Sequence, residues 1–495
     1  MPGESLVGAS SYRPNSPTIS YGPPRGVFLL LLATTFAMGV EYAILMPTVW
    51  KYVQSVGGSK AYLGILLAGF SATRTIAFVF VGWWSDRRAM REPFMFSFFI
   101  GAIGNLLYGL AGGLNSFPVM MLGRLVAGVG AASTTLNQSY IARASSSDQR
   151  TRLMSLTRGC SILGIAAGPV MNLLLLRLDD EKICTGRFCL NSMTSAGYVM
   201  VVVNLLLCLL FAMFFVEPPP QMSSYSRSLS YSAPAVGSAD GGIQETKYSE
   251  IGVENDEGAV FDELTGWEAV KIVILERAGW FCLLVNFVTG FQMTALETAL
   301  TPITADQYGW GAQENSYLFA GITGIALVAI ISSIVFDKMS CCSPRGIILV
   351  AQVSLGVSFA MALSMNGGAK IPLVGLLVFA VFLIYGIVLQ GPPAMGIYSI
   401  MIGDFNKGVF MGYSQIVLGV ARIFGPLFAG ITLEFHTHWF LFAVLAGVYA
   451  ITPISFPFVW KKIVNEPKEE ALLEGGSMDE AMLHNPLMDD EEDGQ

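Results

Sequence analysis

The chain has 495 residues, of which 53% are hydrophobic and only 13% are charged. Because a soluble globular domain carries about 25% charged residues, this composition excludes an ordinary soluble protein and favours helices embedded in a membrane. The net charge of −8 does not describe the apolar part. Residues 217–278 and 463–495 hold eleven acidic residues each and only five Lys or Arg together, which leaves +9 for the remainder.

Twelve apolar stretches follow one another along the chain, each near or above the roughly 20 residues needed to cross a bilayer. They predict transmembrane helices at residues 26–50, 61–84, 93–113, 117–142, 153–176, 193–216, 279–302, 315–336, 345–365, 371–400, 409–432 and 437–460. The predicted fold is therefore an all-α membrane protein with two pseudo-symmetric six-helix bundles.

The stretches divide the chain into five regions. We expect a disordered N-terminal tail, a first bundle, a linker, a second bundle and an acidic tail at residues 1–25, 26–216, 217–278, 279–460 and 461–495. A capping-box pattern from Thr265 to Glu268 predicts a short amphipathic helix at 267–277 in the linker. We expect no cleavable signal peptide, since the first apolar run is long enough to stay in the membrane.

The distribution of Lys and Arg predicts the orientation. Short loops after even-numbered helices hold nine of them and those after odd-numbered helices hold six. Because positive residues favour the cytoplasmic side, both termini and the linker are predicted to be cytoplasmic. Cys184 and Cys189 then lie outside the cytosol, where a disulfide can persist. Two free thiols are the alternative.

The two halves echo each other at matching intervals. Pro47 and Pro302 are each followed fifteen residues later by Tyr-Leu, and an aspartate precedes the pairs Gly168-Pro169 and Gly425-Pro426 by twenty and twenty-one residues. A duplicated six-helix unit leaves such a pattern. Its copies are related by an axis along the membrane normal, and the site lies between them near the bilayer midplane.

A basic cassette, Gly82 to Arg91, joins the second and third stretches, and Asp337-Lys338 with Arg345 is its counterpart in the second half. It resembles the loop after the second helix of the major facilitator superfamily of transporters. An ordinary positively charged loop is the alternative.

This resemblance implies a gating role for the cassette. Gly82 would let helices approach closely, Asp86 would pair with a cation or a helix terminus, and Arg87 and Arg91 would hold the loop at the cytoplasmic face. The further gating positions that we predict are Asp337, Lys338, Gly168, Pro169, Gly425 and Pro426.

Five ionisable residues lie inside apolar stretches: Glu41, Arg74, Arg124, Glu297 and Arg422. A charge at the bilayer centre costs about 2.5–3.5 kcal/mol on insertion scales, so each is expected to face a cavity or a partner. Structural ion pairs are the alternative. Three arginines against two glutamates would leave a cavity net positive, which favours an anionic substrate. The two carboxylates are candidate proton carriers.

Several stretches resemble one branch of the superfamily, the lysosomal ceroid-lipofuscinosis transporters, also called major facilitator domain-containing protein eight. They are Ser139-Tyr140, Leu296 to Pro302, Gly408 to Gly412 and Ala421 to Pro426. This resemblance implies an endolysosomal membrane protein with a role in chloride conductance. It implies functional roles for Arg124, Tyr140, Glu297, Asp306, Arg422 and Gly425-Pro426.

Other stretches, among them Glu92-Pro93 and Gly104 to Tyr108, resemble plant vacuolar phosphate transporters that carry an SPX domain. The residues before position 26 are too few for that domain, so we expect the likeness to concern the membrane part. Asn137-Gln138 stands where that family has paired arginines, which argues against phosphate. Glu41 and Arg74 depart from both families, so the substrate can differ from both.

The sequence thus predicts a transporter, not an enzyme, that needs no cofactor or metal and binds no nucleic acid. A small anion would cross an endolysosomal or vacuolar membrane by alternating access, bound by Arg74, Arg124, Tyr140 and Arg422 and coupled to protons by Glu41 and Glu297. The alternatives are a chloride-like channel and a non-transporting receptor or scaffold. Short patterns from Tyr248 to Ile251 and from Glu469 to Leu473 are candidate signals for sorting adaptors.

Overall fold

The computed structural model describes residues 22–145, 147–179, 183–185, 188–218, 274, 279–338, 343–364, 371–402 and 407–460. Its first eight helices are α1 (Arg25–Ile44), α2 (Val49–Ser55), α3 (Lys60–Arg87), α4 (Arg91–Leu114), α5 (Phe117–Gly130), α6 (Ser133–Ala144), α7 (Ser147–Leu175) and α8 (Ser192–Phe214). The others are α9 (Gly279–Tyr308), α10 (Ala312–Lys338), α11 (Pro344–Ser364), α12 (Leu373–Ile402), α13 (Lys407–Phe435) and α14 (His438–Val459). The sorting patterns and, apart from residue 274, the predicted linker helix lie outside these residues.

In this described part of the chain, twelve helical segments are long and apolar enough to cross a membrane. They coincide with the twelve predicted stretches, and α5 and α6 together form the fourth, Phe117–Ala144. The all-helical membrane fold is confirmed.

The first predicted helix ends earlier than expected. The stretch 26–50 was expected to be continuous, but α1 ends at Ile44, the chain turns, and the short α2 follows. Pro47 lies in this turn. A proline has no N–H for the helical hydrogen bond and its ring clashes with the preceding turn, so the apolar run continues where the helix cannot.

The loop after α7 contains structure that was not predicted. A 3₁₀ turn at Leu176–Asp179 leads into two antiparallel strands, β1 (Ile183–Thr185) and β2 (Phe188–Leu190). Their register places Cys184 directly opposite Cys189. Opposed residues have Cα atoms about 4.5–5.5 Å apart, within the range of disulfides. The disulfide stays a prediction.

Two bundles are built on the same plan. In the N-terminal half, α1 to α8, helix α1 packs on α7, and α4 packs on α5 and α8. In the C-terminal half, α9 to α14, helix α9 packs on α13, and α11 packs on α12 and α14. Each half has its own apolar clusters, which include Phe94, Phe98 and Phe211 in the first and Phe359, Phe379 and Phe442 in the second.

The halves meet mainly along two helix pairs, α3 with α13 and α7 with α10, and α3 also contacts α9. At Gly64 the approach is so close that a Cβ atom would lie 2.4 Å from the carbonyl oxygen of Pro426 and 3.0 Å from the Cα of Gly430. Only glycine fits such a crossing, because any larger residue forces the backbones apart.

Candidate functional site

We call the face at which α3 and α8 end the linker face, because residue 218 leads from it into the linker, and we call the other the opposite face. Polar contacts join the halves at the opposite face. Lys60 Nζ lies 2.5 Å from Asp306 Oδ2, and the backbone N–H of Lys60 donates to Glu434 Oε2 at 3.0 Å. Ser316 Oγ donates to Asn172 Oδ1 at 3.2 Å. These contacts and the Gly64 crossing close this face.

A hydrogen bond also crosses between the halves deeper in the membrane. The hydroxyl of Tyr42, on α1, donates to Glu297 Oε2, on α9. Glu297 was predicted as a functional carboxylate. Its partner Tyr42 was not, although it follows Glu41 directly in an apolar helix.

Two adjoining cavities lie between the halves and share the wall residues Tyr42, Phe70, Ser71 and Thr294. The first is lined in addition by Arg74, Thr75, Phe78, Gln415, Leu418, Gly419 and Arg422. The second is lined in addition by Met46, Leu67, Arg124, Glu297, Thr298 and Pro426. Four of the five predicted intramembrane charges therefore reach the cavities.

Arg74 and Arg422 come from opposite halves and line the first cavity together. The Arg74 guanidinium carbon lies 5.2 Å from the ring centroid of Phe78, and its buried Nε has no hydrogen-bond partner in the described residues. The two like charges repel each other. Nothing described within salt-bridge distance neutralises either arginine.

Arg158, on α7, adds a third cation whose charge acts on both Arg74 and Arg422. Arg158 is an exposed residue. Arg158 is not among the predicted intramembrane charges, although it lies inside the predicted span 153–176 and the same signal that indicates Arg74, a charge in an apolar stretch, indicates it.

Arg124 lines the second cavity and is only 2% exposed. Its guanidinium carbon lies 4.2 Å from the ring centroid of Phe70 and 5.7 Å from that of Tyr108. One of its terminal nitrogens has no hydrogen-bond partner in the described part of the chain. Aromatic faces stabilise this cation in place of a direct carboxylate pair.

Glu41 does not line either cavity. It is 3% exposed inside the N-terminal half, where it accepts hydrogen bonds from Asn105 Nδ2 at 2.8 Å and Asn204 Nδ2 at 3.3 Å. These amides come from α4 and α8. Glu41 thus connects three helices of one bundle, α1, α4 and α8. No sequence pattern at either asparagine predicts this role.

Tyr140 is also placed away from the cavities. Its hydroxyl donates to the carbonyl oxygen of Val216 at 3.0 Å, and its ring packs edge-on against Phe215. It therefore secures the end of α8 at the linker face and does not meet Arg74, Arg124 or Arg422.

The cassette contacts its own half in this conformation. Asp86 Oδ1 lies 2.5 Å from a terminal nitrogen of Arg143, whose other terminal nitrogen donates to the Ser85 carbonyl at 3.0 Å. Arg87 lies over the ring of Trp83 at 4.5 Å. A Cβ on Gly82 would meet no atom within 4 Å. In this conformation, therefore, no neighbouring helix packs closely against Gly82.

The last two residues of the cassette are held by the end of α8. Glu217 accepts hydrogen bonds from the backbone N–H groups of Met90 and Arg91 at 2.9 and 3.0 Å, and an Arg91 terminal nitrogen donates to the Ala212 carbonyl. The positive N-terminal end of the α4 dipole also stabilises a carboxylate at this position.

The other predicted gating positions lie within helices. A Cβ on Gly168 would lie 2.6 Å from the Cβ of Ala43, and one on Gly425 would lie 2.3 Å from Thr294 Oγ1. Pro169 and Pro426 lie inside α7 and α13. The Gly-Pro pairs thus mark the close packing of α1 on α7 and of α9 on α13. Asp337 and Lys338 end α10, and their side chains lie outside the described part.

No grouping of three His, Cys, Asp or Glu side chains in the described residues could hold a metal ion. The site therefore consists of cations, one carboxylate, hydroxyls and apolar walls, placed between two halves that are closed at one face. This arrangement is that of a membrane transporter with its site between two six-helix bundles.

The chain belongs to the Major Facilitator Superfamily, whose pattern matches residues 31–426. It is 23% identical over 497 residues to major facilitator superfamily domain-containing protein 8 of Xenopus laevis, covering 88% of this chain and 91% of that protein. It is 25% identical over 404 residues to an SPX domain-containing membrane protein of Arabidopsis thaliana, covering 78% of this chain. The chain spans 56% of that relative's length.

Solved transporters share the fold. A D-xylose–proton symporter superposes with a TM-score of 0.62 at 14% identity, over 89% of this chain and 98% of the symporter. The human organic anion transporter MFSD10 superposes with a TM-score of 0.55 at 16% identity, over 87% of this chain and 99% of that transporter.

Proposed function

We propose that this protein carries a small anion across an endolysosomal or vacuolar membrane by alternating access, with Glu297 coupling the movement to protons. The observation that supports this best is the charge of the site. Arg74 and Arg422, from opposite halves, line one cavity without a paired carboxylate, and Arg124 lines the adjoining one. Among the lining residues, only Glu297 is acidic.

The electrostatic consequence is a net positive site inside an apolar protein. Even with Glu297 ionised, three lining arginines outnumber it, and low-dielectric walls concentrate the field of such a cluster. A bound anion would relieve the repulsion between Arg74 and Arg422. It would thereby let the two halves approach each other around the substrate.

The closed opposite face favours a carrier over a channel. Lys60, Asp306 and Glu434 join the halves there, and these contacts must break before an anion leaves on that side. A carrier alternates between two such states and exposes the site to one side at a time.

The location and orientation of the transporter are part of the proposal. The excess of Lys and Arg in the loops of the linker face supports a cytoplasmic linker face. The likeness to major facilitator superfamily domain-containing protein 8 and to the SPX domain-containing membrane proteins supports an endolysosomal or vacuolar membrane.

Flux into proteoliposomes tests the proposal. Radiolabelled chloride, sulfate, phosphate and small carboxylates would be offered with and without a pH gradient. We expect at least one anion to be transported and Arg422→Gln to abolish the flux. Arg345→Gln is the matched control, because Arg345 lies in the same half but against Trp460 rather than in a cavity. Full flux with Arg422→Gln would contradict the proposal.

Glu297→Gln separates coupling from binding. This variant keeps the shape of the side chain but cannot ionise, so we expect anion exchange to persist while stimulation by the pH gradient disappears. Unchanged stimulation would remove Glu297 from the coupling step.

A further inference from the structure

Arg158 lies nearer the linker face than the two arginines that line the first cavity. At 1.5 Å per residue, Arg158 is about 17 Å from the start of α7, whereas Arg74 and Arg422 are about 20 and 23 Å from the linker-face ends of α3 and α13. Arg158 is exposed, while Arg74 and Arg422 are partly buried. Arg158 is therefore the outermost of these three cations on a path that begins at the linker face.

The side chain of Arg158 is directed toward the other half of the protein. Its charge acts on Arg422, which belongs to the C-terminal half, and on Arg74. An arginine at this depth is unfavourable against hydrocarbon, whereas water can reach it in the space between the halves. Gln415, on the part of the first cavity wall nearest the linker face, is also exposed. This space is therefore accessible from the linker face.

Arg158 has no acidic partner among the described residues. The two ion pairs of the described part of the chain join Lys60 to Asp306 and Arg143 to Asp86. An arginine that is held beside two further cations experiences their repulsion and gains from a bound negative charge. The surroundings of Arg158 therefore favour an anion.

The first cavity is small in this conformation. Once the part open to solvent is left out, it encloses about 20 Å³, which is the room of about one water molecule. A hydrated anion exceeds this volume, so it must lose water and the walls must move before it lies between Arg74 and Arg422. An anion that arrives from the linker face therefore meets Arg158 before it can enter this cavity.

We infer that Arg158 forms an outer anion-binding site, at which an anion from the linker face is held before it moves to Arg74 and Arg422. The ligand is a small inorganic or carboxylate anion, which this site recognises by its charge. This inference rests on the proposed function and adds a binding step to it. Arg158 raises the local concentration of the anion, and the inner arginines hold it during the conformational change.

Uptake into proteoliposomes with the linker face outside tests this inference. The substrate is the radiolabelled anion that the wild type carries among chloride, sulfate, phosphate and small carboxylates. In Arg158→Gln we expect the half-saturating concentration to rise about three- to tenfold at low ionic strength, because a positive charge beside the path is lost. The maximal rate should change less than about twofold, since the arginines of both cavities remain.

Ionic strength separates this electrostatic role from a structural one. The Debye length falls from about 30 Å at 0.01 M to about 10 Å at 0.1 M salt. Added salt of an anion that is not carried should therefore raise the half-saturating concentration of the wild type clearly and that of Arg158→Gln much less. Arg158→Lys keeps the charge and should behave like the wild type.

Arg152→Gln is the matched control. Arg152 is also an exposed arginine of α7, but it lies about 9 Å nearer the linker face than Arg158. Its substitution removes the same charge at a greater distance from Arg74 and Arg422. We expect the half-saturating concentration to rise less than about twofold.

The outcomes separate the two proposals. Transport that Arg422→Gln abolishes, with the half-saturating concentration unchanged in Arg158→Gln, would overturn the outer site and leave the anion transporter standing. An equal rise in Arg158→Gln and Arg152→Gln, a fall in the maximal rate alone, or a defect that Arg158→Lys shares would also overturn the outer site. If the wild type carries none of these anions, both proposals fail.

Discussion

Tyr42 and Glu297 are joined by a hydrogen bond that crosses from one half of the protein to the other, with the phenol as donor and the carboxylate as acceptor. Both residues line the second cavity. This bond therefore links the relative position of the halves to the state of the carboxylate that we propose as the proton carrier.

Removing this bond should shift the balance between conformations. Tyr42→Phe deletes the donor, and a hydrogen bond to a charged group contributes about 1.5–3 kcal/mol, so we expect a change of roughly tenfold or more in the ratio of states open to the linker face and to the opposite face. Distances between spin labels on the two halves would measure it. Tyr449→Phe is the control, because the Tyr449 hydroxyl donates to Gln352 within one half. An equal shift in both variants would contradict the prediction.

The helix crossing at Gly64 should control the closure of the opposite face. A Cβ there would lie 2.4 Å from a backbone carbonyl of the other half, so Gly64→Ala should force α3 and α13 apart. In a cysteine-free background, Thr298→Cys in the cavity should then react faster with an impermeant maleimide added from the opposite face. Gly447→Ala on α14, whose Cβ would meet nothing within 4 Å, should leave this rate unchanged.

The carboxylate of Glu434 should hold the same face closed through backbone contacts. It accepts from the N–H groups of Lys60 and Ala61 at the start of α3, at 3.0 and 3.4 Å. Such an interaction at a helix N-terminus contributes about 0.5–2 kcal/mol. Glu434→Ala should therefore speed maleimide labelling from the opposite face, and Glu434→Gln, which keeps an acceptor oxygen, should speed it less. Identical rates in all three proteins would contradict this role.

Substitution of Glu41 should primarily lower the stability of the protein. In Glu41→Gln an amide group replaces one carboxylate oxygen and confronts the donors of Asn105 and Asn204. A buried donor without a partner costs about 1–3 kcal/mol, so the thermal unfolding temperature should fall clearly. Glu92→Gln, at an exposed position of the same half, should leave it unchanged. A normal unfolding temperature together with a lost pH response would instead assign Glu41 to proton coupling.

The twelve spans could be predicted from the sequence because membrane crossing depends on local properties. A run of about 20 apolar residues is sufficient, whatever it packs against. The superfamily was recognisable for a similar reason, since the cassette from Gly82 to Arg91 is contiguous in the chain. The helix break at Pro47 was not predicted because the apolar stretch continues through it. The proline itself indicates a break, since it has no N–H for the helical hydrogen bond.

The direction in which each intramembrane residue faces was decided only by the tertiary structure. Glu41 and Tyr42 are neighbours in the chain, yet successive residues of a helix are rotated by about 100°. Glu41 therefore enters the core of its own bundle, while Tyr42 reaches Glu297 in the other half. Since α1 is apolar all around, no amphipathic pattern distinguishes its two faces. The sequence by itself determined which charges are buried in the membrane, and only the packing of the two halves decided that Arg74 and Arg422 share one cavity.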